Sequence, residues 1–182
     1  MKKMLFVAVM LLFTFIANAQ ADVTKFLGIP IDGTKEEMLA KLREKGFHTS
    51  YDMGKDYLEG TFNGSEVIVS PVTNGEKVYR IGVVYKNDLD EGQIKIHYNT
   101  LCKQFMDNGK YMCISTDPFL PEEEDISYEI IVNKKQYQAG FIQLPYDKNK
   151  KVWFTINASG YNKYKIIIFY DNGYNMANGE DL

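Results

Sequence analysis

The chain has 182 residues, with 21 basic and 24 acidic side chains, a formal net charge of −3 and two cysteines. The length predicts one domain of ordinary size. Proteins that bind nucleic acids or anionic lipids usually have an excess of basic residues, and this chain has an excess of acidic ones. We therefore expect no nucleic-acid partner, and we expect no cofactor because neither a glycine-rich phosphate loop nor a zinc-spaced cluster appears.

Residues 1–19 have the features of a secretory signal peptide. Two lysines precede an apolar run, and Ala17 and Ala19 form a small-x-small cleavage site before Gln20. The run is shorter than the ~20 apolar residues of a transmembrane helix. We expect a mature chain over residues 20–182, with a charge of −5 after loss of the two lysines and no membrane anchor. Its predicted location is the periplasm or the extracellular space.

The stretch "FLGIPIDGTKEEMLAKLREKGF", residues 26–47, predicts a capped helix. Thr34 stands three residues before Glu37, which is the spacing of a capping box. Gly46 is placed to end the helix in a left-handed conformation. Three apolar side chains share one face of this helix: Met38, Leu39 and Leu42.

Strands follow the first helix. Asn63-Gly64 separates "DYLEGTF" from "SEVIVSPV", and an Asn-Gly pair between two strand-like runs is a strong hairpin signal. A second turn at residues 73–75 leads into "KVYRIGVVYK". No helix separates these runs, so we expect antiparallel pairing.

The same order recurs from residue 88 onward. Asp88 stands three residues before Glu91, which predicts a second helix cap, and Asn108-Gly109 predicts the end of that helix. Steps of three and four residues define its buried stripe: Ile94, Tyr98, Leu101, Cys102 and Phe105.

Two further hairpins are predicted after the second helix. "ISYEIIV", residues 126–132, is expected to pair with "QYQAGFIQL" across residues 133–135. "KVWFTIN" is expected to pair with "YKIIIFY" across Ser159-Gly160.

Two similar units, about 24–87 and 88–172, therefore form a single α+β domain that ends in a polar C-terminal tail. We predict a two-layer sandwich, with tandem helix-plus-antiparallel-hairpin units and both helices packed on one face of one antiparallel sheet. The other face of the sheet is expected to be open.

The strands are rich in aromatic residues on both of their faces, where an open antiparallel sheet usually has one polar face. One interpretation is that these rings are ordinary strand residues. The other is an aromatic binding platform, because tyrosine offers rigid contact area with a polar tip. The candidate binding residues are Tyr79, Tyr85, Trp153 and Tyr170.

No catalytic motif can be assembled, so we expect a non-catalytic protein that binds a protein or glycan partner. The alternative is a hydrolase, possibly glycan-directed, that uses carboxylates. Its candidates are Glu59, Glu66, Glu129 and Asp171. We predict no metal site, because the polar tail lacks the spacing of a calcium-binding EF-hand loop. The alternative is that the oxygen-rich side chains of this tail hold calcium.

Cys102 and Cys113 could form a disulfide in an oxidising compartment. The second helix rises ~9 Å from Cys102 to its end near Asn108, and a strand returning from Lys110 covers a similar distance by Cys113 at ~3.3 Å per residue. The two sulfur atoms are therefore expected to come level. Two buried free thiols are the alternative.

Four segments, "FLGIPIDGTKEEMLAKLREKGF", "GTFNGSEVIV", "EDISYEIIV" and "ANGEDL", resemble uncharacterised secreted proteins of anaerobic gut bacteria. The repeated unit order is similar in topology to beta-lactamase inhibitory protein and to the small lipoproteins of outer-membrane assembly. The second resemblance implies a non-catalytic protein whose open sheet grips a partner. The chain differs from those proteins in lacking a lipobox cysteine and in having only two cysteines.

Overall fold

The computed structural model describes residues 22–177. The predicted signal peptide and cleavage site, residues 1–20, and the end of the polar tail, residues 178–182, lie outside the described residues. Within the described part, no helix combines the length and the apolar character needed to cross a membrane.

The described chain folds into three α-helices and ten strands. The helices are α1 (Lys35–Glu44), α2 (Glu91–Asp107) and α3 (Ile126–Ile131). The strands are β1 (Lys25–Phe26), β2 (Ile29–Pro30), β3 (His48–Ser50), β4 (Gly54–Phe62), β5 (Ser65–Asn74), β6 (Lys77–Tyr85), β7 (Tyr111–Cys113), β8 (Gln138–Gln143), β9 (Lys150–Gly160) and β10 (Lys163–Asn172). A single 3-10 turn, Gly173–Asn175, follows β10.

Eight of these strands form one sheet with the order β3-β4-β5-β6-β10-β9-β8-β7, and all its neighbouring strands are antiparallel. The predicted α+β class and antiparallel sheet are therefore confirmed. The four strands after α1 make one half of the sheet, and the four after α2 make the other. The last strands of the two halves, β6 and β10, pair at the centre.

Both long helices begin with a capping box. In α1 the Thr34 hydroxyl accepts from the Glu37 backbone N–H, and the Glu37 carboxylate accepts from the Thr34 N–H, as predicted. In α2 the cap is Asp90 with Gln93, and the prediction of Asp88 is wrong. Asp88 instead accepts from the Ser159 hydroxyl, outside the helix.

The Asn63-Gly64 hairpin is confirmed. Both residues have positive φ angles, 49° and 76°, which suit a two-residue turn between β4 and β5. The β9–β10 turn differs from the expectation, because β9 continues through Gly160 and the chain reverses at Tyr161 and Asn162.

The predicted strand over residues 126–132 is wrong, because this segment contains helix α3. The Asp125 carboxylate accepts from the Tyr128 N–H at 2.8 Å and caps the helix. Ile126 is buried, and its N–H donates to the Glu91 carboxylate of α2. These contacts outweigh the strand preference of the Ile and Tyr side chains. Strand β8 pairs with β7 and β9 instead.

One continuous core joins both long helices to alternate residues of the sheet. Met38 of α1 and Ile94 of α2 belong to it, as do the inward-pointing residues of the central strands, such as Ile81 of β6 and Ile168 of β10. The sheet face that carries these core residues is called the helix side below. The residues that alternate with them form the opposite face, called the outer face.

Candidate functional site

Two aromatic rings lie side by side at the centre of the outer face. Trp153 of β9 is directly opposite Phe169 of β10, and their ring centroids are 4.4 Å apart. Phe169 in turn faces Gly82 of β6, which has no side chain to cover it. Both rings are half-buried, so the pair keeps part of its surface in solvent.

An ion pair lies next to these rings and joins the two halves of the sheet. Arg80 of β6 is opposite Asp171 of β10. The Arg80 Nε and Nη2 atoms donate to the two carboxylate oxygens at 2.6 and 2.9 Å, and Trp153 Nε1 donates to Asp171 Oδ2 at 2.9 Å. Asp171 therefore fixes the orientation of both an arginine and a tryptophan.

The Arg80 guanidinium also lies over aromatic rings. Its Cζ atom is 4.6 Å from the ring centroid of Phe169, 5.4 Å from that of Trp153 and 5.6 Å from that of Tyr79. These distances are within the range of cation–π attraction. The five residues Tyr79, Arg80, Trp153, Phe169 and Asp171 are called the arginine–aromatic cluster below.

Electrostatics keep Arg80 charged and held in place. The hydrogen bonds to Asp171 raise the pKa of Arg80 above its ordinary value. A guanidinium retains its charge at all physiological pH values, and bidentate pairing with a carboxylate adds geometric specificity. The cluster therefore presents a fixed cation whose charge is largely balanced by a buried carboxylate.

Tyr79 reaches the outer face through a β-bulge. The register between β5 and β6 shifts there, because Val72 is opposite Arg80 whereas Thr73 is opposite Val78. Tyr79 is the extra residue, and an extra residue interrupts the regular alternation of side chains between the two faces of the strand. Val78 therefore points into the core while Tyr79 is half-buried beside Arg80.

The four predicted binding residues divide between the two faces. Trp153 and Tyr79 are on the outer face, as expected of a binding platform. The placement of Tyr85 and Tyr170 on an open surface is wrong, because they are 5% and 3% exposed and belong to the core. Tyr170 packs 5.0 Å from the ring of Phe26, and burial raises its pKa well above the ordinary value.

The four carboxylates of the hydrolase hypothesis have separate surroundings. Glu59 accepts from Lys86 Nζ at 2.6 Å, and this contact lowers its pKa. Asp171 is occupied by the arginine–aromatic cluster, Glu129 accepts from Asn133, and Glu66 is exposed. A general acid needs a raised pKa, so the contacts of Glu59 favour a structural role.

Both cysteines are free thiols in the structure. Cys102 donates to the Pro118 carbonyl at 3.2 Å, and Cys113 donates to the Ser115 carbonyl at 3.6 Å. Burial raises the pKa of the Cys102 thiol to about 12, which makes it a poor nucleophile at neutral pH. The disulfide between Cys102 and Cys113 stays a prediction.

The part of the chain that the structure describes contains no group of three or more His, Cys, Asp or Glu side chains placed to hold a metal ion. Glu180 and Asp181, which contribute to the oxygen-rich tail, lie beyond residue 177.

The sequence prediction missed Arg80 and Phe169 as members of the site. A signal existed for the arginine, because Arg80 is one of two arginines in the chain and lies in the otherwise apolar run "VYRIGVVY". Its partner was harder to find. Asp171 follows "KIIIFY" directly, but only the strand order shows that it is opposite Arg80.

No protein-family model matches the sequence, and neither a curated protein nor a solved structure matches the chain. The resemblance to secreted proteins of gut bacteria and the topological likeness to beta-lactamase inhibitory protein therefore stay predictions.

Proposed function

We propose that this chain is a periplasmic or extracellular non-catalytic binding protein that engages a protein partner through its outer face. The observation that carries the proposal is the arginine–aromatic cluster, which combines Trp, Tyr and Arg at the centre of the sheet. These three residue types dominate the energetics of protein–protein interfaces.

The proposal includes a two-layer arrangement, with α1 and α2 as one layer on the helix side and the outer face left for the partner. The helix residues of the core support it, since they share one cluster with the inward-pointing strand residues. Secretion is supported by the signal-peptide features of residues 1–19.

The contacts of the cluster favour tight binding. Binding usually costs free energy because flexible side chains become ordered. Here the Arg80 and Trp153 side chains are already fixed by Asp171. Little free energy of binding is therefore lost by ordering them when a partner binds. Apolar side chains extend the surface beside the cluster, and all are half-buried: Ile68, Val84 and Ile167.

A pair of matched threonine variants tests the proposal. Thr155 is half-buried on the outer face, one residue pair away from Trp153 along β9, and it makes no hydrogen bond to the cluster. Thr100 is exposed on α2. The variant Thr155→Arg should block the partner, whereas Thr100→Arg should not.

The measurement is quantitative capture from a periplasmic extract of the native host, with wild-type protein, Thr155→Arg and Thr100→Arg as baits. We expect a protein that wild type and Thr100→Arg retain equally and that Thr155→Arg retains at least about tenfold less, as loss of a central contact implies. Because Trp153 is the only tryptophan, its emission should also change when the purified partner binds. If Thr155→Arg and Thr100→Arg retain every captured protein equally, the proposal is contradicted. It is also contradicted if a soluble glycan binds at the outer face and no protein does.

A further inference from the structure

A second surface feature lies on the helix side of the sheet, away from the arginine–aromatic cluster. A cavity of about 740 Å³ opens between the C-terminal half of α2, the β1–β2 hairpin and the β4–β5 turn, and it reaches β10 at Tyr170. This volume is in the range of cavities that hold small molecules, about 300–1,000 Å³.

The inner wall of the cavity is aromatic. Phe62 and Tyr170 meet edge to face with centroids 6.4 Å apart, and Phe105 and Tyr111 meet in the same way at 4.8 Å. Tyr170 and Phe105 are nearly inaccessible, at 3% and 7% exposure. These two packed rings cannot move far, so they support the wall from behind, and the half-buried Phe62 and Tyr111 provide the apolar surface that a ligand can contact.

Side-chain amides hold the rim in place. The Gln143 amide makes two hydrogen bonds to the backbone of Lys25, at 2.7 and 2.9 Å, and thereby ties the β1–β2 hairpin to β8. Asn63 in the β4–β5 turn donates to Gln104 of α2 at 2.7 Å. Elements that are distant in sequence are therefore fixed around one opening.

The charged side chains that line the cavity are Lys25, Lys110 and Asp22. Asp22 is shared, because it lies 3.4 Å from Lys25 Nζ and 2.7 Å from Nζ of the buried Lys150. Lys110 is exposed and forms no ion pair within residues 22–177. The lining thus has a net positive charge on a chain whose total charge is negative.

We infer that this cavity binds a small organic carboxylate with an apolar body. The body packs against Leu27, Phe62 and Tyr111, which line the cavity and keep accessible surface, and the carboxylate faces Lys110 and Lys25 at the opening. An apolar wall with a few convergent polar groups is the usual composition of a small-molecule site. The inference goes beyond the proposed protein interface and does not depend on it, because the two sites are on opposite sides of the sheet.

Calorimetric titration of the purified protein tests the inference with two acids and their neutral amides. Octanoate and octanamide test an aliphatic body, and 3-phenylpropanoate and 3-phenylpropanamide test an aromatic one. We expect at least one acid to bind at a 1:1 ratio and at least about tenfold more tightly than its amide, because a charge-assisted contact to Lys110 is lost in the amide. The better of the two acids identifies the body that the cavity accepts.

Two lysine variants locate the binding site. Lys110→Gln should weaken the acid about tenfold, whereas Lys103→Gln, an exposed lysine of α2 outside the cavity lining, should leave the affinity unchanged. Equal affinities in the two variants, equal binding of acid and amide, or no saturable binding of either acid at millimolar concentration overturns the inference. Trp153 emission should stay constant during the titration. A shift would place the ligand on the outer face, which contradicts the cavity site without contradicting the proposed protein interface.

Discussion

The Asp171→Ala variant should destabilise the fold strongly, because Asp171 connects the two halves of the sheet. The substitution removes two hydrogen bonds from Arg80 of β6 and one from Trp153 of β9. The Asp171 side chain is 5% exposed and that of Arg80 is 21% exposed. The variant therefore leaves a largely buried guanidinium without its counter-charge.

Removal of one partner from a buried ion pair typically costs about 3–5 kcal/mol. Arg80 retains about a fifth of its surface in solvent, and water can replace part of the lost contact, so we expect the lower end, ~3 kcal/mol. For a domain of this size each kcal/mol lowers the melting temperature by roughly 2–4 °C, so the melting temperature should fall by ~6–12 °C.

Thermal unfolding followed by circular dichroism measures this effect, with Asp56→Ala as the matched control. Asp56 lies 3.2 Å from Lys35 Nζ, but both side chains are about a third exposed or more. Such surface pairs contribute at most about 1 kcal/mol. If Asp171→Ala lowers the melting temperature no more than Asp56→Ala does, the central ion pair does not hold the two halves together and the reasoning is refuted.

Four further results are expected. Thr34→Ala should lower the urea midpoint by an amount equivalent to ~1 kcal/mol through loss of the α1 cap, and an unchanged midpoint contradicts that role. The exported protein should begin at Gln20 by intact mass, and a retained apolar segment contradicts secretion with cleavage. Mass spectrometry without reduction should find Cys102 and Cys113 bridged, whereas two alkylated thiols show that they are not. In the reduced protein, burial raises the pKa of Cys102 from 9.0 to about 12. The thiol of the unfolded chain therefore loses its proton at a lower pH than the folded one, so the free energy of unfolding should fall as pH rises from 9.0 to about 12. The Cys102→Ala variant should show a smaller fall, because it lacks the buried thiol.

Local signals predicted the elements whose contacts are themselves local. The Thr34 cap closes with Glu37 only three residues away, and the Asn63-Gly64 turn needs only two residues with positive φ. Such features depend on neighbouring residues alone. Such caps and turns can therefore be predicted from the sequence alone.

Helix α3 was missed because its local signals conflict. The Ile and Tyr residues of "ISYEII" favour a strand, whereas Asp125 favours a helix start. The contact that adds to the helical preference comes from far along the chain, since Glu91 accepts from the backbone N–H of Ile126 and from the Ser127 hydroxyl. A partner 35 residues away cannot be assigned before the fold is known.

The outer face could be predicted only in part, because both faces of the central strands are apolar. Ile166 and Ile168 point into the core, whereas Ile167 and Phe169 point outward. The period of two separates the two sets, but composition does not say which set is inside. Tyr170 was therefore placed on the wrong face, while Trp153 was placed on the correct one.

The arginine–aromatic cluster depends on the join between the two halves of the sheet. Arg80 and Asp171 are 91 residues apart in the sequence and become opposite each other only because β6 pairs with β10. The bulge at Tyr79 then brings a second ring beside the guanidinium. Because the same contacts hold the sheet together and form the proposed binding surface, substitution of Arg80 or Asp171 is expected to change stability and binding at once. A test of binding alone therefore has to use an outer-face residue without a bond to the cluster, and Thr155 meets that condition.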